Sequence, residues 1–89
     1  MRVVWSPSAL RDIRHIHRYI ARFNRRAAED LARELVAAGD SLETFPQRGR
    51  RVPGTELREW ALVYPYVIRY RIAGDHVRIL RVRHGMRRS

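Results

Sequence analysis

Residues 64–89, YPYVIRYRIAGDHVRILRVRHGMRRS, constrain this chain more than any other stretch. Tyr66, Ile68, Tyr70 and Ile72 alternate with Val67, Arg69 and Arg71, the period of two that gives a strand one apolar side. Ala73-Gly74-Asp75 reads as a turn and His76 to Arg83 as the returning strand. An isolated two-stranded hairpin is at best marginal in water. The apolar side must therefore be covered by the rest of the chain, and the row of guanidinium groups calls for an acidic or polar partner from outside it.

The cover is written upstream. Arg2 to Trp5 reads as a short strand, and Ser6-Pro7 starts a helix: the serine caps a free N–H, and proline at the first position loses nothing. Leu10, Ile13, Ile16, Ile20 and Phe23 form one apolar stripe to about Arg22. Asn24 caps a second helix carrying Ala27, Ala28, Leu31, Leu35, Ala38 and Leu42, closed by Phe45-Pro46. Two amphipathic helices with so short a break form an antiparallel hairpin. Residues 46–56, with two prolines and two glycines, read as loop; Leu57 to Val63 reads as a strand interrupted by Tyr64-Pro65. Eighty-nine residues allow one domain with one modest core. The expected fold is α+β, in the order β-α-α-β-β-β, with the helical hairpin on one face of a small, mainly antiparallel sheet and the other face largely uncovered.

The formal net charge is +10, and all 19 basic residues are arginine. Codon usage in a GC-rich genome is one account of the missing lysine, but self-repulsion of this size opposes compaction and needs its own account. Residues 6–45 hold seven arginines against six acids, whereas residues 61–89 hold seven against Asp75 alone. There is no cysteine, which excludes disulfides and thiolate metal sites, and no segment is apolar enough to span a bilayer. Met1-Arg2-Val3-Val4-Trp5 enters a strand pattern directly, so a signal peptide is not expected and the cytoplasm is the expected compartment. His15 and His17 lie two apart on a helix and cannot share a face, which argues against a metal pair; no metal or other cofactor is expected. Tyr66 and Tyr70 share a strand face with Ile68 and Ile72, which favours core packing over base stacking. Trp60 is open between packing under the helices and facing a partner.

In this order the chain resembles the RelE/ParE superfamily of type II toxin–antitoxin toxins. The resemblance is carried by WSPSALRDIRHIHRYIA (5–21), Asn24 with Ala27 and Ala28, FPQRGRRVPGTELRE (45–59), YPYVIRYRI (64–72) and VRILRVRHGMR (77–87). The Phe45-Pro46…Gly49-Arg50 loop and the Tyr-Pro-Tyr strand are more typical of the ParE branch. The superfamily contains ribosome-dependent mRNA endoribonucleases and gyrase poisons. The ribonuclease branch carries an arginine after the third-strand tyrosine, where this chain has Val67. It has another arginine beyond the last strand, near Gly85 here, and a tyrosine further on that residues 86–89 do not supply.

The resemblance thus implies a ParE-like toxin that inhibits DNA gyrase, causes growth arrest and is neutralised by a cognate antitoxin (ParD-like or other) in a hetero-oligomer. Contact with nucleic acid would be indirect, and no membrane is involved. The expected target-binding residues are Arg81, Arg83, His84, Arg87 and Arg88. The expected antitoxin-binding residues are Leu31, Leu35, Trp60, Arg69, Arg71 and Arg78, read by their planar guanidiniums and the helical groove. The enzyme alternative is a ribonuclease using His84 with Arg81 and Arg83. It needs an acid for the leaving oxygen, and no Tyr, Lys or Glu follows His84. The remaining alternative is an inactive relic that only binds antitoxin.

Overall fold

The computed structural model describes residues 1–85. Strand β1 (Arg2–Trp5) leads into helix α1 (Pro7–Ala21) and helix α2 (Arg25–Asp40), which ends in a 3-10 turn at Ser41–Glu43. Four strands follow: β2 (Arg50–Arg51), β3 (Leu57–Trp60), β4 (Tyr66–Ala73) and β5 (His76–His84). The sheet order is β1-β5-β4-β3-β2, antiparallel except for the parallel β1–β5 pair. The α+β architecture expected from the sequence is the one observed. Three boundaries differ: Arg50–Arg51 form a short strand inside the expected loop, β3 ends at Trp60, and α2 gives way to the 3-10 turn before Phe45 is reached. The Tyr64–Pro65 bond that interrupts the strands is cis.

Both helix starts use the caps legible in the sequence. The Ser6 hydroxyl accepts from Ala9 N at 3.0 Å, and Asn24 Oδ1 accepts from Ala27 N at 3.0 Å. Ser6 does more than cap, because its hydroxyl also donates to Leu80 O at 3.0 Å and its amide to Ile79 O at 2.9 Å. One residue thereby stitches the β1–α1 corner onto β5. The core lies between the layers: Ala9, Ile13, Leu35, Ala38 and Leu42 from the helical side meet Ile68, Tyr70, Val77, Ile79 and Val82 from the sheet. A Cβ on Gly39 would stand 2.4 Å from the Trp5 ring and 2.8 Å from Ile79 Cδ1, so only glycine lets α2 lie this close to β1 and β5. Trp5 Nε1 also donates to Asp40 Oδ1 at 2.9 Å, fixing the same contact.

Tyr70, expected in the core, is fully buried there. Its hydroxyl donates to Pro46 O at 2.6 Å and accepts from Gly49 N at 2.9 Å, pinning the 46–49 loop to the sheet. Burial pushes the phenol pKa up, with the Gly49 bond and Arg58 and Arg48 opposing. Because the folded state holds this proton more tightly than the unfolded chain, stability should be complete below the ordinary value near 10 and fall as pH rises beyond it. Tyr70→Phe should remove that alkaline component and cost about 1–3 kcal/mol by stranding Pro46 O and Gly49 N. Urea melts of both proteins at neutral and alkaline pH measure the two effects together.

Candidate functional site

The basic C-terminal strand acquires its geometry from where β1 stops. β1 pairs only with residues His76, Val77, Arg78 and Ile79 of β5, which leaves the outer edge of the strand beyond them without a strand neighbour. At the same point the β4–β5 register steps from Arg69↔Arg81 to Tyr70↔Ile79, so Leu80 is an extra residue, a bulge. Helix α1 closes the open edge with Asp12. Its Oδ2 accepts from Val82 N at 2.9 Å and from Arg81 Nε at 2.8 Å, and its Oδ1 accepts from Arg81 Nη2 at 3.1 Å. This bidentate fork raises the Arg81 pKa above the ordinary guanidinium value. Arg81, expected to reach for an outside target, is instead held by an acid from its own first helix.

Beyond the fork, Val67 faces Arg83 across the ladder and Tyr66 faces His84. The Tyr66 and His84 rings meet edge-on, with centroids 5.6 Å apart and planes at 78°. Gly85 N donates to Pro65 O at 2.7 Å, and a Cβ at Gly85 would meet Val67 Cγ2 at 2.9 Å. The strand end and the turn before β4 are therefore held together closely. Arg87 and Arg88, expected to bind the target, lie outside the described residues.

The uncovered face of the sheet is ordered in cross-strand rows. One row runs Arg81, Arg69, Glu59 and Arg50. Arg69 is fastened within it: Nε and Nη2 donate to Glu59 Oε2 at 3.0 and 2.6 Å, and Arg50 stands 4.0 Å from the same carboxylate. The neighbouring row runs Val4, Arg78, Arg71 and Leu57, where two arginines face each other directly. Among the described residues neither Arg71 nor Arg78 has an acidic partner.

Two further expectations change with the structure. Leu35, expected to contact an antitoxin, is 0% exposed and belongs to the core, whereas Leu31 is partly buried against that core. Trp60 resolves toward packing: it is partly buried on the helix side, with the Arg48 guanidinium 4.6 Å from its ring centre and 4.7 Å from that of Phe45. No group of His, Asp and Glu among the described residues is placed to hold a metal ion. No helix among them is long and apolar enough to cross a membrane.

Sequence reasoning missed three residues that shape the site. Asp12 and Glu59 neutralise guanidiniums that had been assigned to outside partners, and Tyr66 brings a phenol beside His84. Asp12 left a signal, being the sole acid of an arginine-bearing helix. Glu59 left one too, since it alternates with Arg58 and Trp60 on a strand. The Tyr66–His84 contact joins residues 18 apart in sequence and follows only from the hairpin register.

Chemically, the arrangement offers a cationic sheet face with some charges bound internally and others free, and an aromatic–imidazole pair at one corner. Known proteins place it in context. The family model described as the ParE toxin of the type II toxin–antitoxin system parDE matches residues 3–88. Toxin RelE2 of Caulobacter vibrioides is 47% identical over 85 residues, covering 96% of each chain. Toxin RelE1 of the same organism is 39% identical over 87 residues, covering 94% of this chain and 92% of its own. A solved structure of the chromosomal ParDE toxin–antitoxin system from P. aeruginosa superposes with a TM-score of 0.83 at 22% identity, over 94% of this chain and 95% of that one, and shows the same fold. The sheet, the helical hairpin and the basic last strand are thus those of a type II toxin: the chain belongs to the ParE toxin family within the RelE/ParE superfamily.

Proposed function

We infer that this toxin acts by binding DNA gyrase in the cytoplasm, without cutting nucleic acid itself, and that a cognate antitoxin holds it inactive. The observation that carries the reading is the Arg81–Asp12 fork. A ribonuclease needs a free cation beside its base to stabilise the phosphorane. Here Arg81, one of the two arginines that a ribonuclease would enlist with His84, already has its Nε and Nη2 engaged by a carboxylate that is also bonded to Val82 N. Val67 stands across from Arg83 where the ribonuclease branch carries arginine, which supports the same direction. Arg83 remains for the target, together with Arg87 and Arg88 outside the described residues.

The antitoxin is best matched to the helical layer. Tyr19 and Phe23 stack edge-on there and are largely exposed, Phe23 at 73%, and Leu10 and Val36 are exposed elsewhere on the same layer. A groove of about 560 Å³ between the helices has Ile13, Ala21 and Ala32 in its floor and Arg14, Arg18 and Arg25 at its rim. An apolar groove with a cationic rim suits an acidic, amphipathic segment that folds as it binds.

The expected result with purified toxin is inhibition of gyrase supercoiling with accumulation of cleaved DNA, relieved by the antitoxin. Unimpaired supercoiling at concentrations that arrest growth would refute the gyrase target. The ribonuclease reading is favoured by one observation, the Tyr66–His84 contact, which sets a phenol and an imidazole side by side next to Arg83. His84→Ala separates the two: toxicity survives if the protein binds gyrase through its arginines, and vanishes with the fold intact if His84 moves a proton.

A further inference from the structure

We propose that the uncovered face of the sheet is a nucleic-acid backbone site, with Arg71 and Arg78 forming a two-armed clamp for a single phosphate. Facing residues of neighbouring strands stand about 5 Å apart, close enough for two guanidiniums to converge on one anion. Arg71 and Arg78 are such a pair. Like charges placed directly opposite destabilise a sheet, and the adjoining row shows how this chain relieves the problem elsewhere. Arg69 and Arg81 also face each other, and each is answered by its own carboxylate, Glu59 and Asp12. Arg71 and Arg78 are left unanswered among the described residues, flanked in their row by Val4 and Leu57. Arg83 lies on the same face further along β5 and Arg2 on the neighbouring β1, so the clamp sits within a wider cationic field.

The occupant is a phosphate polymer rather than an acidic peptide, because of where the exposed apolar side chains are. Leu10, Tyr19, Phe23 and Val36 lie on the helical layer, and Phe45, Leu62 and Tyr64 lie in loops. None of the large exposed apolar residues among those described is on a strand. A peptide that folds on binding needs apolar surface to offset its ordering. A sugar–phosphate backbone needs only cations, and forked guanidiniums match its oxygens. The two layers of the molecule thus divide the partners, amphipathic on the helices and polyanionic on the sheet. This deepens the gyrase reading by adding direct contact with the DNA that gyrase holds, but it concerns the isolated chain and is measured without gyrase.

The test is fluorescence polarisation of a short labelled DNA duplex with the full chain over a series of salt concentrations. Each phosphate contact contributes a slope of about −0.9 to log K against log salt. Arg71→Gln/Arg78→Gln should flatten the slope by about 0.9, the share of the one phosphate that the pair holds, and weaken low-salt binding roughly tenfold or more. Arg11→Gln/Arg26→Gln removes the same charge from exposed helix positions and should leave the slope as it was. Circular dichroism and melting of each variant establish that the fold is retained. Equal flattening by both pairs would reduce the effect to bulk charge and overturn the clamp. So would unchanged DNA binding by the sheet variant, or loss of binding to a labelled poly-glutamate peptide alone. Failure of supercoiling inhibition with this salt dependence intact would count against the gyrase target and leave the phosphate site standing.

Discussion

Leu35→Ala is expected to lower the free energy of unfolding by about 2–5 kcal/mol, the range for truncating a fully enclosed leucine. Leu35 has no exposed surface and sits among Ala9, Ile13, Ala38, Val77 and Ile79 in the cluster joining the two layers. The removed methyl groups would leave a cavity, because α2 cannot settle further: Gly39, one turn on, already lies against Trp5 and Ile79. A small domain has only about 5–15 kcal/mol of stability in all, so this one change should shift a urea midpoint far toward water. The measurement also discriminates between two assignments of the same residue. On an exposed, partner-binding surface, as the family resemblance implied, the truncation would cost less than about 0.5 kcal/mol and would weaken antitoxin binding instead.

Asp12→Ala is expected to cost about 2–3 kcal/mol, from the loss of charge-assisted bonds and a bond to a part-buried amide. The carboxylate serves Arg81 and Val82 N together, so its removal leaves a guanidinium without its acid and a strand-edge N–H without an acceptor. Arg81→Ala should cost less, since Asp12 would still accept from Val82 N. The two changes should be strongly non-additive in a double-mutant cycle. Hydrogen exchange at the Val82 amide gives an independent reading: protection should fall in Asp12→Ala and persist in Arg81→Ala. A loss below about 0.5 kcal/mol for Asp12→Ala would mean that the β1 pairing and Ser6 suffice to hold the β5 edge.

Much of this architecture could be read from the residues because its signals are local. Ser6-Pro7 and Asn24 announce helix starts by their own hydrogen-bonding chemistry, and both caps are made as expected. The alternation from Tyr66 to Ile72 separates a core side from a charged side, and Tyr70 and Ile68 are buried accordingly. The site was less legible because it depends on pairings between distant segments. Asp12 and Arg81 are 69 residues apart, and their meeting follows from a parallel β1–β5 pair that ends early and a bulge at Leu80. A stripe of apolar positions on α2 likewise shows that one side is buried, but it cannot say that Leu35 lies at the centre and Leu31 at the margin. Charge counting over residues 61–89 identified the basic strands, yet it treated as equal arginines that the fold divides into bound and free.

We propose that this toxin works by cationic contact with a macromolecule and not by breaking bonds in it. The most direct measurement is primer extension on transcripts incubated with translating ribosomes and the purified chain, beside a gyrase reaction at the same concentration. Intact transcripts and inhibited supercoiling are the expected outcome. Discrete ribosome-dependent cuts that disappear in His84→Ala, with supercoiling untouched, would contradict it.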